Sequence, residues 1–85
     1  MAAVLVCPDG DFKEVKPAKG KQFKLEELQE MVEGYIEILP CNDGTMMVVN
    51  EEGRLKGLPI NEIASSWIGY PIVGNAVICT SGEIE

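Results

Sequence analysis

The sequence predicts an α+β domain, a small, mainly antiparallel sheet of four to five strands with one amphipathic helix and one short helix. Three observations point there. Short apolar runs recur at Val4-Leu5-Val6-Cys7, Thr45-Met46-Met47-Val48-Val49 and Ala76-Val77-Ile78-Cys79, the length and composition of strands. Leu25, Leu28, Val32 and Tyr35 recur at three, four and three residues, which sets them on one helical face. Pro8-Asp9-Gly10 and Asp43-Gly44 supply the turn chemistry of hairpins. Helices covering one face of such a sheet satisfy the layer rule for a small domain.

Taken in order, the stretch Met1–Val6 lacks the basic start and length of a signal peptide and reads as a first strand ending near Cys7. Phe12-Lys13-Glu14-Val15-Lys16 returns antiparallel to it, and Pro17–Lys21 is a solvated lysine-rich loop, so residues 1–24 form a hairpin and a loop. The core follows over residues 25–80. Glu26 and Glu27 favour a helix start through its dipole, and Gly34 suits a left-handed residue just past its end. Beyond it the period becomes two, with Tyr35, Glu37 and Leu39 facing one way and Ile36 and Ile38 the other. Thr45–Val49 is apolar at successive positions, as in a central strand covered on both sides or paired to another chain. Asn50–Gly53 is a turn. Ile60, Ile63, Ala64 and Trp67 then mark the short helix, with Asn61 as its cap and Gly69 as its stop. On this spacing Trp67 belongs to the core, and residues 81–85 form a frayed tail.

Eighty-five residues suit a single domain. The longest uncharged apolar run, Ser65–Thr80, is broken by Gly69, Pro71, Gly74 and Asn75, so no membrane span is expected. Cys7, Cys41 and Cys79 are odd in number and widely spaced, which argues for reduced thiols in a cytoplasmic location. Without histidine or a Cys-x-x-Cys pair, neither metal nor cofactor is expected. The net charge of −7 is uneven. Residues 1–24 carry five lysines against three acids, whereas residues 25–85 set only Arg54 and Lys56 against eleven acids. A phosphate backbone needs a concentrated basic surface, so direct nucleic-acid binding is not expected, and a protein partner fits the field better.

At Val32-Glu33-Gly34-Tyr35-Ile36-Glu37, and again from Asn50 to Asn61 (NEEGRLKGLPIN), the chain resembles a family of small uncharacterised proteins of phages, plasmids and Firmicute-type bacteria that carries a domain-of-unknown-function label. The family pattern runs V-G-G-Y-I-E, an apolar strand, N-E-E-G-K-L-x-G-L-P-x-N and a closing strand, and the likeness covers residues 25–80. Glu33 stands where the pattern has glycine. The resemblance implies a mobile-element setting and brings no activity and no catalytic residues.

With no histidine, Ser-His and Cys-His activation are excluded, and neither a phosphate-cradling glycine loop nor a dinucleotide fingerprint is present. Glu51-Glu52 and Glu26-Glu27 are neighbours in sequence, not carboxylates converging in a cleft. No enzyme is expected. The candidate partner-binding residues are Glu51, Glu52, Arg54, Lys56, Pro59 and Asn61, in a loop whose alternative role is a strand-to-helix connector. Glu26, Glu27, Glu30 and Glu33 form a secondary acidic face, read either as ordinary solvation or as a mimic of a nucleic-acid duplex. Tyr35, Trp67 and Tyr70 are aromatics of the interface type. The leading expectation is a non-catalytic acidic interaction protein of phage or mobile-element origin that binds and modulates a host defence or nucleic-acid-handling protein. The alternatives are a homo-oligomeric sponge that binds a small ligand or nucleotide, a structural or regulatory domain, and a weak hydrolase.

Overall fold

Short apolar and alternating segments place five strands in one antiparallel sheet. In the computed structural model, which describes residues 3–85, these are β1 (Ala3–Val6), β2 (Phe12–Val15), β3 (Ile36–Pro40), β4 (Met46–Asn50) and β5 (Ala76–Cys79). Helices α1 (Leu25–Val32) and α2 (Glu62–Ile68) and a 3-10 turn over Ser81–Glu83 accompany them. Met1 and Ala2, counted in the expected first strand, lie outside the described residues. The strand order is β2-β1-β5-β4-β3 with every neighbour antiparallel, so the fold is α+β, with β5 central and β2 and β3 at the edges.

Both hairpins close in the same way. Cys7 N–H donates to the Asp11 carbonyl at 2.8 Å, and Cys41 N–H to that of Thr45 at 2.9 Å. Gly10 (φ 93°) and Gly44 (φ 87°) take the left-handed position that ends each three-residue loop. Asp43 Oδ1 accepts from the Thr45 hydroxyl at 2.6 Å and its N–H at 3.1 Å, and these bonds hold its carboxyl below the usual range.

The two helices cover opposite faces of the sheet, which corrects the expectation that they share one. Leu28 and Val32 of α1, together with Phe23, bury against Leu5, Val48 and Val77. On the other side Ala64 and Ile68 of α2, with Ile72, bury against Val6, Met47, Val49, Ala76 and Ile78. The cause lies in β4 and β5, which are apolar at successive positions and therefore need a layer on each face. Met47 and Val48, adjacent in sequence, are both fully buried.

The end of α1 differs from the sequence reading. Glu33, not Gly34, is the left-handed residue, at φ 63° and ψ 38°. Gly34 serves close approach instead, since a Cβ there would lie 2.7 Å from Asn50 Nδ2. Two sheet-side asparagines satisfy the last carbonyls of the helix, Asn75 Nδ2 donating to Met31 and Asn50 Nδ2 to Val32, each at 3.0 Å. A left-handed conformation costs a side-chain-bearing residue about 1–2 kcal/mol. Glu33→Gly is therefore expected to stabilise the fold by about 0.5–1 kcal/mol, net of the entropy glycine adds to the unfolded chain, and urea unfolding measures this directly.

Two further expectations are corrected. Trp67 is not core: it is 45% exposed, as Ile60 and Ile63 are exposed, because α2 turns its Asn61-Ala64-Ile68 side to the sheet. The C-terminal segment is not frayed. Thr80 N–H and Oγ1 both bond the Glu83 carboxylate, Phe23 N–H donates to the Glu83 carbonyl at 2.7 Å, and Glu85 N–H donates to that of Phe23 at 3.1 Å. The buried ring of Phe23 anchors this strap in the α1-side core.

Candidate functional site

The loop singled out in the sequence is a built turn. Asn50 Oδ1 accepts Glu52 N–H at 2.8 Å, Lys56 N–H reaches the Glu52 carbonyl at 3.0 Å, and Leu58 N–H the Gly53 carbonyl at 3.0 Å. Gly53 is packed so closely that a Cβ would meet Val73 Cγ2 at 2.8 Å. Such internal bonding fixes residues 50–58 without help from a partner. At its crest Leu55 is 88% exposed. Beneath it, between the turn, β3 and the segment after α2, lies an open groove of about 370 Å³ lined by Glu37, Leu39, Glu51, Arg54, Leu55 and Tyr70 among others.

The structure disperses the six predicted contact residues. Glu51 and Arg54 line the groove, and Arg54 Nη2 donates to the Pro71 carbonyl at 3.2 Å, tying the turn to the α2 side. Glu52 is half-buried at the base of the turn. Lys56 folds the other way, its ammonium close to Gly34 just past the end of α1. Pro59 is exposed, and its carbonyl accepts Gly74 N–H at 2.8 Å. Asn61 is fully buried. Its Oδ1 caps α2 by accepting Ala64 N–H at 3.1 Å, as expected of a cap, while Nδ2 donates to Val6 and Gly74 carbonyls at 3.0 and 2.9 Å. Leu55 escaped the sequence reading. The available signal was its place between Arg54 and Lys56 inside a turn, where a leucine has no core to enter.

The family model described as Domain of unknown function (DUF3846) matches residues 1–85. The chain belongs to this family. No curated protein and no solved structure matches it.

In this DUF3846 domain the secondary acidic face divides by role. Glu26, Glu30 and Glu33 are exposed. Glu27 is engaged: its carboxylate accepts Ala18 N–H at 2.7 Å and Lys24 N–H at 2.8 Å, tying the lysine-rich loop to the start of α1. The Lys24 and Ala18 amide bonds hold the Glu27 carboxyl below its ordinary 4.5. The folded form therefore binds fewer protons than the unfolded chain in that region. The contribution is complete above pH 4.5 and is lost as pH falls through the lower folded value. Glu27→Gln is expected to flatten the acid limb of a stability-against-pH curve, measured by urea unfolding at a series of pH values.

All three thiols of the DUF3846 domain are free. Burial, with Glu83 and Cys41 nearby, pushes Cys79 up to about 11, and burial beside Asp9 and Asp11 raises Cys7. Both shifts favour the neutral thiol over the thiolate. Among the described residues no three His, Cys, Asp or Glu side chains are grouped to hold a metal ion, and no helix is long and apolar enough to cross a membrane.

Proposed function

We propose that this DUF3846 domain is a non-catalytic acidic interaction protein, of phage or mobile-element origin, that binds and modulates a host defence or nucleic-acid-handling protein. The observation that carries the reading is the self-supporting turn over residues 50–58, which holds Leu55 almost fully in solvent above the Glu37–Tyr70 groove. An exposed apolar side chain on a rigid, charged crest is arranged to enter a pocket on another protein, with little ordering left to do on binding. The mobile-element setting is supported by the motif resemblance at residues 32–37 and 50–61. The acidic excess over residues 25–85 favours a partner with a basic face.

Leu55→Ala and the double reversal Glu51→Lys/Glu52→Lys test the reading. Each is expected to abolish recovery of a specific protein from host lysate. Leu55→Ala should leave thermal unfolding within about 0.5 kcal/mol of the parent, as surface changes do. Unchanged recovery with both variants would remove this crest from the contact.

A further inference from the structure

We propose that the open edge of β3 accepts an extended, basic segment of the partner as a sixth strand of the sheet. The inference deepens the reading above and rests on it, naming the form of polypeptide that the groove side of the domain recognises.

Glu51 N–H donates to the Tyr35 carbonyl at 2.8 Å and Cys41 N–H to that of Thr45 at 2.9 Å, bracketing a ladder in which Glu37 lies opposite Val49 and Leu39 opposite Met47. In an antiparallel pair the bonded positions alternate. The odd-numbered residues of β3 are thus bonded to β4, and the N–H and C=O groups of Ile36 and Ile38 point away from the sheet. Among the described residues β4 is the sole sheet neighbour of β3. The opposite edge, β2, is guarded by exposed Lys13 and Glu14, whereas β3 offers Ile36, Ile38 and Leu39 with Glu37 as its one charge. Such an edge is a template for another strand.

Side chains then specify the occupant. Glu37 and Leu39 face the groove, and Ile36 and Ile38 face the α1 side, Ile38 remaining 43% exposed. In an added antiparallel strand bonded to Ile36 and Ile38, the residue between falls opposite Glu37 in the closer, non-bonded pairing. Its side chain projects over the groove, where Glu51 supplies a second carboxylate and Arg54 is already tied to Pro71. A lysine or arginine there pairs with Glu37, and apolar residues on either side cover Ile36 and Ile38. A second copy of this chain fits poorly. Pairing about Ile38 would set Pro40, which lacks a donor, against Ile36 at both ends, and pairing about Glu37 would set the two Glu37 carboxylates directly opposite, between chains that each carry −7.

The test uses the whole domain and a blocked synthetic peptide of about six residues alternating lysine and valine, a common strand length, with a glutamate–valine peptide as control. Amide exchange by NMR is expected to slow at Ile36 and Ile38 with the basic peptide and not with the acidic one. Glu37→Lys, an exposed change that leaves folding intact, should weaken binding about tenfold. Ile38→Pro removes an outward N–H that β4 does not use and should abolish binding while keeping the parent's thermal unfolding. No protection at millimolar basic peptide, equal protection by the acidic peptide, or protection that grows with protein concentration alone would overturn the proposal. Any of those results leaves the crest reading to the Leu55 variant. Conversely, recovery of a partner that is indifferent to Leu55→Ala, alongside edge protection by the basic peptide, would remove the crest and keep the edge.

Discussion

Asn61→Ala is expected to lower folding stability by about 3–5 kcal/mol, against a total of about 5–15 kcal/mol for a domain of this kind. The loss has two parts. Removing the cap oxygen from Ala64 N–H costs about 1 kcal/mol. Removing the amide leaves the Val6 and Gly74 carbonyls without this donor in a buried setting, each at about 1–2 kcal/mol, the lower part of the range for a buried group that loses a partner. Asn61→Ser separates the parts, since its hydroxyl still caps α2 but cannot span to β1 and to the segment before β5. Urea unfolding should find the serine variant recovering about 1 kcal/mol of the loss. A serine variant as stable as the parent would show that the side-chain tie between α2 and the sheet contributes nothing.

Phe23→Ala should cost a similar amount, about 3–5 kcal/mol, because it deletes the largest fully buried side chain and leaves a cavity under α1. The effect has a local signature as well. Glu85 N–H bonds the Phe23 carbonyl and Phe23 N–H the Glu83 carbonyl, so both amides should exchange far faster in the variant than in the parent, beyond what the global loss produces. Retained protection at Glu85 would mean that the 81–85 strap holds without the ring beneath it.

What the sequence made legible was local in origin. Leu28 and Val32 face the core because helical spacing and hydropathy agree there. The Asp-Gly turns, the Asn61 cap and the two-sided burial of β4 likewise follow from short stretches with strong backbone or packing preferences. The misreadings arose where tertiary geometry overruled a local pattern. Around α2, two overlapping stripes have helical period. The more apolar one, Ile60-Ile63-Trp67, faces water, while the buried one holds Asn61 and Ala64 because it must bond carbonyls of the sheet. Phe23 sits between Gln22 and Lys24 with no periodic neighbours, and its partner Ile84 is some sixty residues further along the chain. No window of sequence connects them.

The candidate site was legible in part for the same reason. Asn50–Asn61 announced a turn through its glycines and charges, and a turn is there. Which of its residues meet solvent depended on Gly34, Pro71 and Val73, whose approach sends Lys56, Arg54 and Gly53 in three directions and leaves Leu55 at the crest.

The place of β5 bears on how the chain is made. The β1–β2 and β3–β4 hairpins are each local, yet among the described residues they join one sheet only through Ala76–Cys79, the last of the five strands in chain order. Until those residues emerge from the ribosome, β1 and β4 each present an apolar, unpaired flank. The nascent chain is thus most prone to aggregate until β5 emerges, and a stop codon placed before Ala76 would leave the two hairpins without the strand that joins them.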